Sequence, residues 1–353
     1  MKGLEKLLVV VLILSVLIAL GVSQKNIRDR RINFSSVDRI FLLPRKEVLQ
    51  VMALGHDKTV ADLLWVRAIQ FFGGNFSTIN REGFEFKREG INKLFYMIQY
   101  LDPDFYQNYQ FGAFVFSEGM EDYDQAIRLL ELGSEVFPND WRLLFDGAFT
   151  ALYYKDDLDW ALVLAERAAK RPDAPEHVKR FAGQILSRQG RFQVAMEYFQ
   201  KLYEESESEV QQKIALSNIY RIRREWDIVN LNEAAKVYEQ RYEKPIETLD
   251  DLVVAGILPQ LPVDPQDGGP YYCIPTTKEI VNYNLSLYRQ QEVQGFLQGQ
   301  VEKFNEQAGR YPDSLEEMMP EETLEKLLDP LGGKFVLDES TRQVVVIPAE
   351  MLN

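Results

Sequence analysis

The sequence predicts a mainly α-helical chain, in which an N-terminal hydrophobic helix precedes a solenoid of stacked helix pairs and two small α+β modules. Three observations lead to this prediction. An apolar run occupies residues 7–22, a pattern recurs with a period near 34 between residues 88 and 205, and residues 238–283 match residues 305–347. Recurrence at such a period is typical of repeat architectures, because each unit buries its apolar face only against its neighbours.

The composition indicates a folded body with an acidic surface. Apolar residues make up 46% and aromatic residues 12% of the 353 residues, enough apolar surface to offset the chain entropy lost on folding. Residues 1–45 hold eight Lys and Arg against three Asp and Glu, whereas the whole chain has a net charge of −14. Because an acidic body repels a phosphate backbone, we expect no nucleic-acid partner.

The apolar run predicts a transmembrane anchor or a signal segment in residues 1–23, followed by a linker over residues 24–57. As a helix, Leu7 to Val22 spans roughly 24 Å, slightly less than a bilayer core of about 30 Å. Gly21-Val22-Ser23 alternatively offers a small-x-small cleavage site. The basic residues after the run favour a cytoplasmic body, but the short basic tail before it is that of an ordinary signal peptide. We expect a body outside the cytoplasm, with the cytoplasmic body as the alternative.

Prolines and alanines define the repeat independently of each other. Proline prevents a helix from continuing, and helical patterns end at spacings of 35 and 34 residues at Pro103, Pro138 and Pro172. Small residues let two helices approach closely, and alanines recur at the same two spacings at Ala126, Ala161 and Ala195. The agreement of the two sets disfavours an ordinary bundle with accidental spacing.

Residues 58–205 resemble the tetratricopeptide repeat (TPR) family. The residues that match the family pattern are Ala126, Leu130, Gly133 and Pro138, then Ala161, Ala165, Ala168 and Pro172, then Gly183, Leu186, Gly190, Phe192, Ala195 and Phe199. Phe114 and Phe149 depart from the pattern, because they stand where it has a small residue, so we expect the helix packing to differ there. A degenerate first unit matches at Trp65, Ala68, Phe72 and 95–103, with an inserted loop from Gly73 to Arg88.

The resemblance implies a curved solenoid whose concave groove binds extended peptides or helices of partner proteins. Positions on the first helix of each pair face such a groove. The residues predicted to line it are Asn108, Asp146, Tyr153, His177, Arg180, Gln184 and Arg188.

The C-terminal part predicts two copies of one module, over residues 206–283 and 284–353. Each copy reads as a long helix (209–243 in the first), a short helix begun by Thr248 or Ser314, an Asp-Pro turn at Asp264 or Asp329, and a β-hairpin. The predicted strands are 271–274 with 280–283 and 334–337 with 343–347. A lone hairpin is marginal in water, so each must pack on its helix or on its twin.

The copies resemble the globular part of the major pseudopilins of type II secretion. In that family a helix leads to a Tyr-Pro-x-x-Leu segment and an Asp-Pro-x-Gly turn before a short sheet, as in Tyr311-Pro312 with Leu315, and in Asp329-Pro330 with Gly332. The pilin-type leader, the first pilin helix and the acidic calcium loop are missing. We therefore expect a packing unit rather than a filament subunit. Together with the repeats, the arrangement resembles TPR-containing envelope proteins of bacteria.

The sequence offers little for catalysis or metal binding. His56 and His177 are about 120 residues apart with no ligand spacing, and His56 fits a loop before a helix cap at Asp57. Gly332-Gly333-Lys334 lacks the rest of a phosphate loop. The single Cys273 excludes an internal disulfide, and its apolar neighbours predict a buried packing residue. We expect a non-enzyme with no cofactor, no metal site and no small-molecule substrate.

Two functions remain open at this point. The first is a single-pass scaffold of the bacterial inner membrane with a periplasmic body, which binds envelope assembly components, such as those of secretion or pilus machines, through the groove. The second is a peptidoglycan- or carbohydrate-binding accessory that uses the aromatic residues Tyr153, Tyr154, Tyr271 and Tyr272.

Overall fold

The computed structural model of the chain describes residues 44–75, 85–324 and 326–352, which are mainly helical with two short antiparallel strand pairs. The predicted membrane segment at residues 7–22 lies outside the described residues. Within the described ranges, no helix combines the length and the hydropathy that a membrane crossing requires. The chain divides into two compact units, Met1–Lys179 and Arg180–Asn353, and each is described by itself.

The first unit is a succession of helices joined by short turns. Each helix packs on the next from α2 to α7, and α1 packs on both α2 and α3. Their bounds are α1 Lys46–Ala53, α2 Asp57–Asn75, α3 Glu85–Leu101, α4 Tyr106–Phe114, α5 Tyr123–Val136, α6 Arg142–Tyr153, α7 Leu158–Ala169 and, crossing into the second unit, α8 Glu176–Arg188. A π-helical turn, Val115–Gly119, extends α4. This serial packing is consistent with an α-helical solenoid.

The predicted helix ends are confirmed. Helices α3, α5 and α7 end two to three residues before Pro103, Pro138 and Pro172. Helices α5 and α7 also begin with matching caps. The Asp122 carboxylate accepts a hydrogen bond from the amide of Gln125 at the start of α5, and the Asp157 carboxylate accepts one from the amide of Trp160 at the start of α7. The caps are 35 residues apart, so the repeat extends to the helix starts.

Helices α4 and α6 approach their neighbouring helices closely at Gly112 and Gly147. These glycines stand two residues before Phe114 and Phe149, the positions at which the family pattern has a small residue. A Cβ atom at Gly112 would lie 2.5 Å from Leu129 on α5 and 3.0 Å from Phe95 on α3. One at Gly147 would lie 3.3 Å from Leu164 on α7. Because these glycines take the tight contacts, the phenylalanines two residues later point outward. The packing therefore differs at Phe114 and Phe149, as expected.

The first helix pair corrects two boundaries. The inserted loop predicted from Gly73 to Arg88 is shorter, because α2 continues to Asn75 and α3 begins at Glu85. Helix α1 lies inside the predicted linker over residues 24–57. Aromatic contacts hold α2 to its neighbours as far as its last turn: the Trp65 ring packs on Phe105 and Phe111 with centroids 5.1 and 5.2 Å away, and the Phe72 ring packs on Phe111 at 5.6 Å.

The second unit begins with the rest of α8, then α9 Phe192–Glu205 and the long α10 Glu209–Tyr242. Gly183 and Phe199, which match the family pattern, are in contact, since a Cβ atom at Gly183 would lie 2.5 Å from the Phe199 ring. Helix α9 packs on α10. The predicted long polar helix is thus confirmed to within one residue.

Both C-terminal copies form the predicted hairpin on a long helix. The first consists of α10, α11 Asp250–Val254, β1 Tyr271–Cys273 and β2 Ile280–Asn282; the second of α12 Tyr283–Ala308, α13 Glu321–Leu324, β3 Lys334–Leu337 and β4 Val344–Ile347. Each pair is antiparallel, with Tyr271 opposite Asn282 and Lys334 opposite Ile347. Each has its own apolar core, one around Leu231 and Leu252, the other around Leu297 and Val301. Cys273 is buried in the first core, as predicted.

The second copy lacks the short helix predicted to begin at Ser314. Its chain makes turns there instead, with the amides of Met318 and Met319 both donating to the carbonyl of Leu315. Pro320 lacks an amide hydrogen and cannot continue a helix from that turn, whereas the first copy has no proline between Thr248 and Val254. The prediction was therefore wrong for this element of the second copy.

Candidate functional site

Helices α4 and α6 present aromatic side chains to solvent at matching positions. Phe114 and Phe149 are 46% and 42% exposed, and they are 35 residues apart in sequence. The next outward position on each helix is Glu118 or Tyr153, again 35 residues apart. The repeat therefore carries an exposed apolar face in addition to its buried one, and we call the surface formed by these four residues the α4–α6 face.

A cleft of about 240 Å³ opens on this face. It is lined by Gln110, Ala113, Phe114, Ser117, Glu118, Leu130, Asp146, Phe149, Thr150 and Tyr154. Its floor is formed by buried side chains of α4, α5 and α6, so the cleft exists because three consecutive helices pack around it. Ligand pockets for drug-sized molecules usually span about 300–1,000 Å³, so this cleft suits one side chain rather than a whole small molecule.

Aromatic contacts hold the rim of the cleft in place. The Phe149 and Tyr153 rings are tilted with centroids 4.5 Å apart, and Tyr154 stacks on Tyr123 at 5.6 Å. A hydrogen bond to the Glu118 carboxylate raises the pKa of Tyr154 and fixes its hydroxyl. Contacts between aromatic rings of this kind contribute about 0.5–1.5 kcal/mol beyond their buried area, so they restrain the side chains of the rim.

Asp146 brings a carboxylate into this apolar setting. Burial raises the pKa of Asp146 to about 6, a hydrogen bond from Gln110 acts in the opposite direction, and the negative charge of Asp140 adds to the rise. Arg142, one turn earlier on α6, pairs with Asp140 at 3.1 Å. No ion pair is formed by Asp146 with the residues that the structure describes. The cleft thus combines aromatic walls with a desolvated carboxylate.

Of the predicted groove residues in the first unit, Asp146 and Tyr153 lie on the α4–α6 face and Asn108 does not. Asn108 is fully buried, and its side-chain amide donates to the carbonyl of Phe95 at 3.1 Å. It ties α4 to α3, so it is not available to a partner. His177 is exposed and packs edge-on against the rings of Trp141 and Phe145, each 5.7 Å away.

The remaining predicted residues belong to the second unit. Arg180 donates to the side chain of Gln211 on α10 at 2.6 Å, while Gln184 and Arg188 are exposed on α8. By sequence register they continue the outward positions of α4 and α6, since Gln184 and Arg188 follow Phe149 and Tyr153 by 35 residues. Their character changes from aromatic to polar, so the aromatic face is confined to the first unit.

The structure removes one residue from the carbohydrate-binding hypothesis. Tyr271 is buried, and its hydroxyl donates to the Asp227 carboxylate at 3.2 Å. Tyr272 is partly buried, packs edge-on against Tyr283 and donates to Glu350 at 2.8 Å. Tyr153 and Tyr154 remain exposed.

Three residues of the face, Phe114, Glu118 and Phe149, were missing from the predicted groove, and Tyr154 of the cleft was named only for the carbohydrate alternative. A signal for them was present, because the two phenylalanines are spaced by one repeat. They were interpreted as packing residues, since the family pattern places buried side chains at those positions. Within the described ranges, no cluster of three or more His, Cys, Asp or Glu is placed to hold a metal ion.

Neither a protein-family model nor a curated protein sequence matches the chain. Nineteen chains of solved structures resemble it, among them one described as "MamA RS-1 ArsTM double mutant". That chain is 16% identical with a TM-score of 0.30, and the likeness covers 51% of this chain and 88% of that chain. A likeness at this level carries no argument about the fold or the function.

Proposed function

We propose that this chain is a membrane-anchored scaffold of the bacterial envelope that holds partner proteins on the α4–α6 face. The observation that carries the proposal is the recurrence of exposed aromatic side chains, at one repeat spacing, around a desolvated carboxylate. Exposed phenylalanines stabilise a monomer little, and contiguous exposed apolar surface rimmed by polar residues is typical of interaction sites. The proposal makes the chain a binding protein rather than an enzyme.

The finer assignments belong to the same proposal. The solenoid is of the TPR type, residues 7–22 anchor it in the inner membrane, and the body lies in the periplasm, where it serves an assembly such as a secretion or pilus machine. Support comes from the repeat spacing, the serial packing of α2 to α7 and the apolar run at the N-terminus.

Site-specific photo-crosslinking in native membranes tests the proposed function. A benzoylphenylalanine in place of Phe149 should give a discrete protein adduct after irradiation. The matched control carries the same residue in place of Phe296 on α12, which is 49% exposed and lies outside the face. Equal or absent adducts at the two positions would count against a binding role for the α4–α6 face.

Labelling from outside the inner membrane tests the topology. In a Cys273→Ser background, Tyr288→Cys places a thiol at a position that is 58% exposed on α12. A membrane-impermeant maleimide added to spheroplasts should label this thiol if the body is periplasmic. Labelling only after lysis would place the body in the cytoplasm and restrict the partners to that side.

Carbohydrate is the alternative ligand, favoured by the exposed rings of Tyr153 and Tyr154 beside Phe149. Sedimentation with purified cell wall separates the two functions. Under the scaffold proposal the intact chain stays in the supernatant. Co-sedimentation that is lost in a Tyr153→Ala variant would favour the alternative.

A further inference from the structure

The chemistry of the cleft on the α4–α6 face specifies more than a general binding surface. Asp146 is partly buried beside the cleft and forms no ion pair with the described residues, although Arg142 lies on the same helix. A carboxylate in such a site either takes up a proton or acquires a cation, because burying an unpaired charge is costly. In the free chain, the Asp146 carboxylate therefore has no positively charged partner among the described residues.

The other side chains that line the cleft do not supply a positive charge to Asp146. Helix α4 contributes Gln110, which is neutral, and Glu118, which is negative. Helix α5 contributes Leu130, which is apolar. On the side of α6, Asp140 adds a further negative charge and engages Arg142. An acidic peptide or a phosphate would be repelled here, whereas a cation would be attracted by every charged group that lines the cleft.

The walls fit an organic cation better than an inorganic one. Phe114, Phe149 and Tyr154 line the cleft, and the faces of aromatic rings attract ammonium and guanidinium groups. Lysine and arginine carry apolar stems that bury well along such walls while their charged ends reach a carboxylate. The volume of about 240 Å³ suits one such side chain.

We propose that the cleft between α4 and α6 receives a lysine or arginine side chain from a partner protein, within a segment whose neighbouring residues are apolar. Asp146 is the counter-charge, and the aromatic rim packs against the apolar neighbours. This inference rests on the proposed function, because it names the chemistry of the partner that the face holds. Specificity arises because a segment without the cation covers the partly buried carboxylate and leaves it unpaired.

A peptide array tests the inference with the intact chain. The probe is a printed set of short random peptides that spans acidic to basic composition. The wild-type chain should retain peptides in which Lys or Arg stands among Leu, Ile, Phe or Tyr, with an affinity about tenfold above that for the same peptides carrying norleucine or Glu at that position.

Two variants make the result specific to the cleft. Asp146→Asn should abolish the tenfold preference, whereas Glu135→Gln, which removes one negative charge from an exposed position on α5, should leave it intact. In the wild type, a retained peptide should also lower the pKa of Asp146, measured by carbon NMR of its carboxyl group, because a bound cation stabilises the carboxylate.

The possible outcomes separate this inference from the proposed function. Retention of apolar peptides without a preference for Lys or Arg, lost in Phe149→Ala, would overturn the cation site and keep the binding face. A preference that persists in Asp146→Asn would equally overturn the cation site. Retention of no peptide at all would contradict both.

Discussion

The two units of this chain both repeat buried residues, but the first unit repeats exposed residues as well. In the first unit, exposed residues recur: Phe114 with Phe149, and Glu118 with Tyr153. In the C-terminal duplication, buried residues recur: Asp264 with Asp329, Leu231 with Leu297, and Leu249 with Leu315. Repetition of buried residues maintains a fold. Repetition of exposed aromatic residues adds little stability, so we assign the binding role to the first unit.

A second contrast lies within the duplication. In the first copy the Asp264 carboxylate pairs with Arg224 of the long helix and also accepts from the Asn282 side chain at 2.7 Å. In the second copy the equivalent Asp329 accepts from the neutral Gln290 at 2.8 Å. The aspartate therefore anchors the turn to the helix in both copies, but among the described residues only the aspartate of the first copy forms an ion pair.

The largest effect is expected from Asp264→Ala. Burial alone would raise the pKa of Asp264, but the Arg224 guanidinium and backbone hydrogen bonds hold it below the usual value, so the carboxylate is charged. Its removal leaves Arg224 partly buried without a counter-charge, which costs about 3–5 kcal/mol. Hydrogen exchange of peptides that cover β1 and β2 measures the loss. The exposed Asp250→Ala is the control, and a similarly small effect for Asp264→Ala would contradict the anchoring role.

A smaller effect is expected from the pair Asp227 and Tyr271, which hydrogen-bond in the first copy. By position relative to Arg224 and to the Gly-Gly turn, the second copy has Val293 and Phe335 instead. Asp227→Val alone leaves the buried Tyr271 hydroxyl unsatisfied and should cost about 1–3 kcal/mol. The double variant with Tyr271→Phe should recover most of that loss, because both buried polar groups are then replaced together, and Arg223, which also pairs with Asp227, is about half exposed and stays hydrated.

This double-mutant cycle sharpens the comparison of the two copies. Recovery of stability in the double variant would show that an apolar pair, as in the second copy, can replace the hydrogen-bonded pair of the first copy. Hydrogen exchange of the strand peptides again provides the measurement. If the effects of the two substitutions simply add, the coupling energy between Asp227 and Tyr271 is zero, which would contradict a stabilising hydrogen bond between them.

The smallest effect, with the opposite sign, is expected from Asp146→Asn on the α4–α6 face. Burial raises the pKa of Asp146 from 3.8 to about 6, so the folded chain binds more protons than the unfolded chain between these values. Stability therefore falls as the pH rises through this window, and the cost is complete above it. Asp146→Asn should raise the free energy of unfolding by about 1–2 kcal/mol at neutral pH, and by less near pH 4.

Denaturant titration at the two pH values measures this gain, with Glu135→Gln as the control that should change neither value. A loss of stability at neutral pH in Asp146→Asn would mean that Asp146 maintains the fold rather than a binding site. A gain would identify a residue whose charge costs stability, as expected where function requires it.

Local signals made much of the fold predictable. Prolines 103, 138 and 172 end helices for reasons that need no tertiary information, so the boundaries of α3, α5 and α7 follow from the sequence. The duplication and the Asp-Pro turns similarly predicted all four strands to within one residue at each end. Elements whose ends depend on one local residue or turn were thus the easiest to predict.

The candidate site was less predictable, because tertiary packing decides which side of a helix is buried. Gly112 and Phe114 are two residues apart, and either is compatible with the repeat. The glycine contacts Leu129 and Phe95 only because α3, α4 and α5 meet there. The prediction for Asn108 failed because the sequence register alone does not show which side of α4 is buried. In the structure Asn108 is buried, and its side-chain amide donates to the Phe95 carbonyl on α3.

Hydroxyl-radical footprinting of the intact chain, purified and within native membranes, tests the assignment of the binding role most directly. Side chains that are exposed in both units react in the purified chain, including Phe114, Phe149, Tyr153, Tyr288 and Phe296. In native membranes, our account predicts protection of the first three, with Tyr288 and Phe296 of α12 still reactive. Protection of the α12 residues, with Phe114, Phe149 and Tyr153 still reactive, would contradict it.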